Sequence, residues 1–226
     1  MTQSPESLAG SLGYRFDDLK LLQQAITHRS AGSRNNERLE FLGDAVLGCV
    51  IAAEIFSRHP DAREGELSRL RASLVRRESL AELAYSLDIG SYLKLGSGER
   101  KSGGHHRNSI LADSLEAVFG AIYLDGGFTA CRDCIRALFA DRLAKAHDLS
   151  RLKDPKTRLQ EFLQSRQQPL PEYTVIETIG DAHNQQFRVQ CCISETGSSP
   201  TEGTARSRRM AEQTAAAGML EQLGVD

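Results

Sequence analysis

The chain has 226 residues, of which 40% are hydrophobic and 26% charged, and a formal net charge of −2. These values suit a soluble globular protein of one large domain or two modest ones. They argue against a nucleic-acid binder that works by overall basicity, so any such grip has to come from local patches. No segment approaches the roughly 20 apolar residues of a membrane span. MTQSPESLAG at the N-terminus lacks a basic stretch followed by an apolar run, so no secretory signal is expected. The five cysteines, Cys49, Cys131, Cys134, Cys191 and Cys192, are odd in number and irregularly spaced, which fits a reduced, cytoplasmic protein. Cys131 and Cys134 form a lone CxxC inside a helical pattern with no further ligands near it, and they read as packing residues.

Residues 1 to about 145 read as helix after helix. Apolar residues recur at three- and four-residue intervals over 19–26, 39–53, 67–75, 80–87, 110–124 and 135–143. Ser79 with Glu82 forms a capping-box pattern. GSGERKS, residues 96–102, has the glycines of a phosphate loop, but Arg100 occupies the place of the Gly before Lys. It reads as a mobile loop, and no nucleotide cofactor is expected. Residues 146–154 are polar without periodicity and read as a linker. Asp154 as N-cap and Pro155 at the first helical position then open a helix through about Arg166. Residues 173–179 and 186–193 predict strands, with a third over 201–206. A last helix spans about 207–223. The expected organisation is an all-helical domain over 1–148, a linker over 149–153, and an α-β-β-β-α domain over 154–226, making the fold mainly α.

NNERLEFLGDAVLG, residues 35–48, places Glu37, Glu40 and Asp44 at i, i+3 and i+7. On a helix they share an arc of about 60°. Leu39, Leu42, Val46 and Val50 share a different face, the core side. The acids could be the solvated side of an amphipathic helix. Yet Glu40 and Asp44 repel at i, i+4, and no Lys or Arg follows any of the three at three or four residues.

ILADSLEAVFGAIYL, residues 110–124, is apolar nearly all round, which marks a buried helix. Besides Ser114 and the Tyr123 hydroxyl, its polar side chains are Asp113 and Glu116. Two like charges at i, i+3 cannot satisfy each other, and unpaired buried charge is costly. A hard divalent cation answers this, and so would arginines from elsewhere, such as Arg69, Arg71 or Arg107. Gly43, Gly48 and Gly120 would let the helices approach. Glu40, Asp44, Asp113 and Glu116, with Glu37 and Glu64 as outer acids and no catalytic-looking His or Cys, fit metal-assisted hydrolysis of a phosphodiester.

NERLEFLGDA at 36–45 resembles the signature motif of the ribonuclease III family, and LADSLEA at 111–117 resembles its second acidic motif. THRS at 27–30, EGELSRLRASLV at 64–75 and LGSGERKSGG at 95–104 are similar to its intervening blocks. The resemblance runs over essentially the whole chain. It implies that Glu40, Asp113 and Glu116 are metal ligands for Mg²⁺, with Mn²⁺ able to substitute, and that Asp44 and Glu116 are catalytic. Glu37 and Glu64 match acids of the outer cleft. It further implies a homodimer through the helical domain, with Phe41 suited to the contact. Each subunit would cut one strand of an RNA duplex, leaving 5′-phosphate and 3′-hydroxyl ends. Ribosomal RNA precursors and some messenger RNAs are the expected substrates. A non-cleaving duplex-RNA-binding protein on the same fold is the alternative.

Residues 155–226 hold seven Lys/Arg and nine Asp/Glu, formally −2, so any RNA grip there rests on placement. Arg206, Arg208 and Arg209 cluster at the start of the last helix, where cations oppose the helix dipole unless an anion docks. The α-β-β-β-α order resembles the double-stranded-RNA-binding domain. PKTRLQEFL (155–163) and SRRMAEQ (207–213) are similar to its first helix and its phosphate-binding turn. The resemblance implies that Thr157, Gln160 and Glu161 face one minor groove, His183 the next, and Arg208 and Arg209 the phosphates between. Glu212 stands where many such domains have a third Lys.

Overall fold

The computed structural model describes residues 4–145, 154–181, 185–194 and 198–225. The expected linker at 149–153 and His183 lie outside the described residues. The chain divides into two compact units, Met1–Asp148 and Leu149–Asp226.

The regular elements of the first unit are helical: α1 (Pro5–Ser11), α2 (Leu19–Ala25), α3 (Glu37–Arg58), α4 (Glu64–Val75), α5 (Arg77–Ser86), α6 (Ile89–Tyr92), α7 (Ser97–Lys101), α8 (Asn108–Leu138) and α9 (Ala140–Lys145). Short 3₁₀ turns occupy Arg29–Ala31 and Gly104–His106. The pairing of α3 with α8 is the most extensive between any two elements. Leu39, Val46, Leu47, Val50 and Ile51 of α3 are buried, as are Leu111, Leu115, Val118, Phe119 and Ile122 of α8.

Three local expectations are corrected. Ser79 does not cap a helix. Arg76 is extended, α5 starts at Arg77, and Ser79 falls inside its first turn, buried. Its carbonyl accepts a 2.9 Å hydrogen bond from the Arg142 guanidinium of α9, and Glu82 pairs with the same arginine at 3.5 Å. Residues 96–102 are not a loop throughout but carry α7. The Gly96 amide donates to Ser30 Oγ at 3.0 Å, fixing where that helix begins. The expected helix at 135–143 is divided: α8, kinked at Gly127 where φ is 76°, ends at Leu138, and Phe139 separates it from α9.

The second unit runs α10 (Pro155–Ser165), β1 (Glu172–Ile179), β2 (Gln186–Cys192), β3 (Thr201–Ala205) and α11 (Arg208–Gln222). Asp154 caps α10 as expected, its carboxylate accepting from the Thr157 amide at 3.0 Å. The antiparallel sheet has the order β1-β2-β3, with a bulge in β1 between Val175 and Glu177. Its core joins Leu159 and Leu163 of α10, Cys191 of β2, Ile193 just after it, and Ala215, Ala216, Met219 and Leu220 of α11. The alternation of β2, with Val189 and Cys191 inward, follows from the two-residue period of a strand with one covered face.

Candidate active site

The site begins with two glycines. A Cβ on Gly43 of α3 would stand 1.7 Å from the Glu116 carbonyl oxygen, and one on Gly120 of α8 would stand 2.2 Å from the Leu39 carbonyl oxygen. Both residues must lack a side chain for the two backbones to approach this closely. Gly48, expected to help, has nothing near its missing Cβ and plays no part in the approach.

That approach brings α3 and α8 carboxylates together. One oxygen from each of Glu40, Asp113 and Glu116 can be chosen so that all lie within 4.8 Å of one another. From Ile110 to Ile122 every residue is buried except Asp113 and Glu116, which are half-buried. Glu40 is half-buried as well, and Asp44, one turn further along α3, is exposed. Among the described residues none of these four carboxylates is in an ion pair or accepts a hydrogen bond. Arg107 pairs instead with Glu99 at 2.6 Å.

The electrostatic result is an excess of negative charge. Burial, then the neighbouring Asp44, Asp113 and Glu40, push the Glu116 carboxyl up to about 8. Burial and then Asp113 and Glu37 raise Glu40. Burial raises Asp113 too, and Arg77, His28 and Arg29 only partly offset it. Sequence reasoning misses these three basic neighbours. Thr27–Ser30 reads only as a motif block, and nothing in the chain's local pattern says that the first residue of α5 faces α8. Two oxygens on opposite sides of an octahedral Mg²⁺ stand about 4 Å apart, twice the bond length. A spacing of this order can admit a small hard dication, and without an ion the crowding is relieved by protonation, which is why Glu116 is raised.

Glu37 joins this cleft. It lines a hollow of about 480 Å³ with His28, Arg29, Glu40, Arg107 and Asp113, and pairs with Arg29 at 3.4 Å. Glu64 does not join it. It opens α4 beside Ala52, Ile55 and Phe56, accepting from Ser68 Oγ at 2.7 Å. That end of α3 is at least about 22 Å along the axis from Glu37, at 1.5 Å per residue. The expectation that Glu37 and Glu64 share an outer cleft is thus not met within one chain.

In the second unit, Thr157, Gln160 and Glu161 fall at i, i+3 and i+4 of α10, on one face, with Gln160 and Glu161 exposed. Ser207 caps α11, accepting from the Met210 amide at 3.3 Å. Arg206, Arg208 and Arg209 are all exposed at that helix start.

A family profile described as ribonuclease-III-like matches residues 18–143, and the double-stranded RNA binding motif matches residues 155–223. Curated proteins named ribonuclease 3 are similar over nearly the full length. The one from Nitrosococcus oceani is 57% identical, covering 97% of this chain and 95% of its own. The one from Hahella chejuensis is 56% identical over the whole of both chains. The chain belongs to the ribonuclease III family. As a ribonuclease III, it is an endoribonuclease that acts on double-stranded RNA. Among solved structures, the nuclease domain of ribonuclease III from Campylobacter jejuni is similar with a TM-score of 0.60 and 44% identity, covering 61% of this chain and 97% of that domain. The carboxylate cleft lies within the part of the chain that matches the ribonuclease III profile.

Proposed function

We propose that Glu40, Asp113 and Glu116 hold a Mg²⁺ ion, with Mn²⁺ able to take its place, and that Asp44 and Glu116 carry the chemistry of strand cleavage. The supporting observation is the convergence of three half-buried carboxylates, none in an ion pair among the described residues, across a backbone contact that only glycine permits. When bound, such an ion acidifies a coordinated water and neutralises charge gathering on the phosphate. The chain's own residues do the rest. Asp113 and Glu116 are fixed by a helix buried on every other side, so their carboxylates are preorganised. Asp44, at the solvent side of Glu116, orients the attacking water and accepts its proton. Glu37 and Arg29 line the approach to the cleft.

The products are 5′-phosphate and 3′-hydroxyl ends, and the substrates include ribosomal RNA precursors and some messenger RNAs in the cytoplasm. No helix among the described residues is long and apolar enough to cross a membrane. The working form is a homodimer in which each subunit cuts one strand. In support, Phe41 is 81% exposed and stands with Leu21, Leu42 and Leu124 around an open hollow that Gln24, Glu37 and Arg38 also line. The similar Campylobacter nuclease domain has a structurally flexible region involved in dimer formation. The α10 face of Thr157, Gln160 and Glu161 contacts a minor groove, and Arg208 and Arg209 contact phosphates.

Incubating the protein with a long RNA duplex tests the reading. Cleavage is expected with Mg²⁺ and not with chelator. Asp44→Asn and Glu116→Gln are expected to abolish cutting while a gel shift in chelator stays nearly unchanged. Cutting at normal rates by either variant would overturn the assignment, and duplex binding without metal-dependent cutting by the native protein would favour the non-cleaving alternative.

A further inference from the structure

The start of α11 presents three arginines, and they are not equivalent. Glu212, one turn in, is nearly buried, its side chain 12% exposed. One of its oxygens accepts from Arg208 Nε at 2.9 Å, and the other accepts from Lys156 Nζ at 2.5 Å. Lys156 also lies 4.3 Å above the centre of the Tyr173 ring, so it is held on two sides. The Lys156 amide donates to Gln213 Oε1 at 3.0 Å, and Gln213 Nε2 donates to Asp154 at 2.9 Å. The beginnings of α10 and α11 are thereby stitched together around one carboxylate. Arg206 and Arg209, by contrast, are exposed and in no ion pair among the described residues. A phosphate approaching this helix start finds Arg209 and Arg206 open, and has to displace Glu212 to engage Arg208.

We infer that Glu212 is an internal competitor of the RNA phosphates that sets the strength and salt dependence of duplex binding by withholding Arg208 and Lys156. This rests on the reading that the start of α11 docks on phosphates. Docking a phosphate on either cation has to break its bond to Glu212, so both attract phosphates less than Arg206 and Arg209 do, and the net attraction falls. The arrangement favours brief engagement of many duplexes over tight retention of one, which suits an enzyme that must leave its product.

The test uses the full chain in chelator, so that the RNA stays intact, and a labelled duplex of roughly 20 base pairs, longer than the ~16 such a module spans. Binding is measured by fluorescence anisotropy across a KCl series. Glu212→Gln keeps an acceptor for Lys156 and removes the charge. It is expected to tighten binding roughly two- to fivefold, the range of a surface ion pair whose exposed member, Arg208, is released to a new partner. It should also steepen the plot of log affinity against log salt by about 0.9 per phosphate gained. Weaker or unchanged binding by a variant with native circular dichroism would overturn the proposal, since Glu212 would then be aligning Arg208 rather than withholding it. Should Glu212→Gln fail to fold, the single arginine variants decide. Arg208→Ala is expected to cost less affinity than Arg209→Ala, and an equal or greater cost would overturn the proposal. If Arg206→Ala, Arg208→Ala and Arg209→Ala together leave binding unchanged, the underlying reading of α11 fails instead.

Discussion

Gly43 of α3 lies directly against the main chain of Glu116 on α8, with 1.7 Å between the position a Cβ would take and the Glu116 carbonyl oxygen. The helices can relieve such an overlap only by separating, and separation moves Glu40 away from Asp113 and Glu116. Gly43→Ala is therefore expected to lower stability by at least about 3 kcal/mol, the upper range of overpacking, and to lower metal affinity with it. Gly48→Ala on the same helix meets nothing within 4 Å and should raise stability by about 0.5–1 kcal/mol. Thermal unfolding of the two variants checks the contrast, and equal effects would contradict it.

The crowding of acids sets a pH dependence for the metal-free protein. Burial and neighbouring carboxylates raise Glu116 to about 8 from an ordinary value of 4.5. The folded chain then keeps a proton that the unfolded chain releases. This contribution to stability is full below pH 4.5 and is lost as pH rises through about 8. Glu116→Gln removes the dependence. In chelator its melting temperature should exceed that of the native protein at pH 9 and converge with it near pH 4.5. With excess Mg²⁺ the order should reverse, because binding stabilises only the chain that keeps the site. A difference in melting temperature that does not vary with pH would contradict the account.

Asp125 gives the opposite sign. Burial alone would raise its carboxyl, but hydrogen bonds from the Asp18 and Asp17 amides at 2.8 and 2.9 Å and from the Tyr14 hydroxyl at 2.8 Å more than offset this and hold it below 3.8. These bonds tie the segment before α2 to the middle of α8. Their stabilisation is present above pH 3.8 and is lost as pH falls through the depressed value. Asp125→Ala leaves three donors without their acceptor and should cost about 1–3 kcal/mol at pH 7. In urea unfolding the gap between variant and native protein should narrow as pH falls below 3.8.

The two faces of the RNA-binding unit should separate by salt. Gln160 is an exposed amide on α10 and carries no charge. Gln160→Ala is expected to weaken duplex binding while leaving the salt slope unchanged, because groove contacts release no counterions. Arg208→Ala with Arg209→Ala is expected to weaken binding and flatten the slope. Gel shifts over a KCl series distinguish the two, and a flattened slope for Gln160→Ala would remove its groove assignment.

Much of this is legible in the sequence because it is periodic or chemically anomalous. Asp113 and Glu116 stand out as charges on an otherwise apolar helix, and they are the two residues of 110–122 that reach solvent. Gly43 and Gly120 signal close approach, but Gly48 looks the same in sequence and does nothing of the kind. The order α-β-β-β-α follows from the change of period after residue 154. Relations between distant segments are not legible. Arg77 faces Asp113 and Glu116 only because α5 packs on α8. Glu64 leaves the cleft because α3 runs for 22 residues before the chain turns back. Ser79 carries a capping pattern, yet a one-residue break at Arg76 moves the helix start ahead of it. The role of Glu212 requires knowing that the starts of α10 and α11 meet.

Calorimetric titration of Mn²⁺ into the native protein and into Glu40→Gln and Asp113→Asn probes the shared carboxylate site most directly. A saturable heat is expected for the native chain and its loss in both variants, each with unchanged circular dichroism. Titration curves for the variants that match the native one would contradict the assignment of a metal to the α3–α8 cleft.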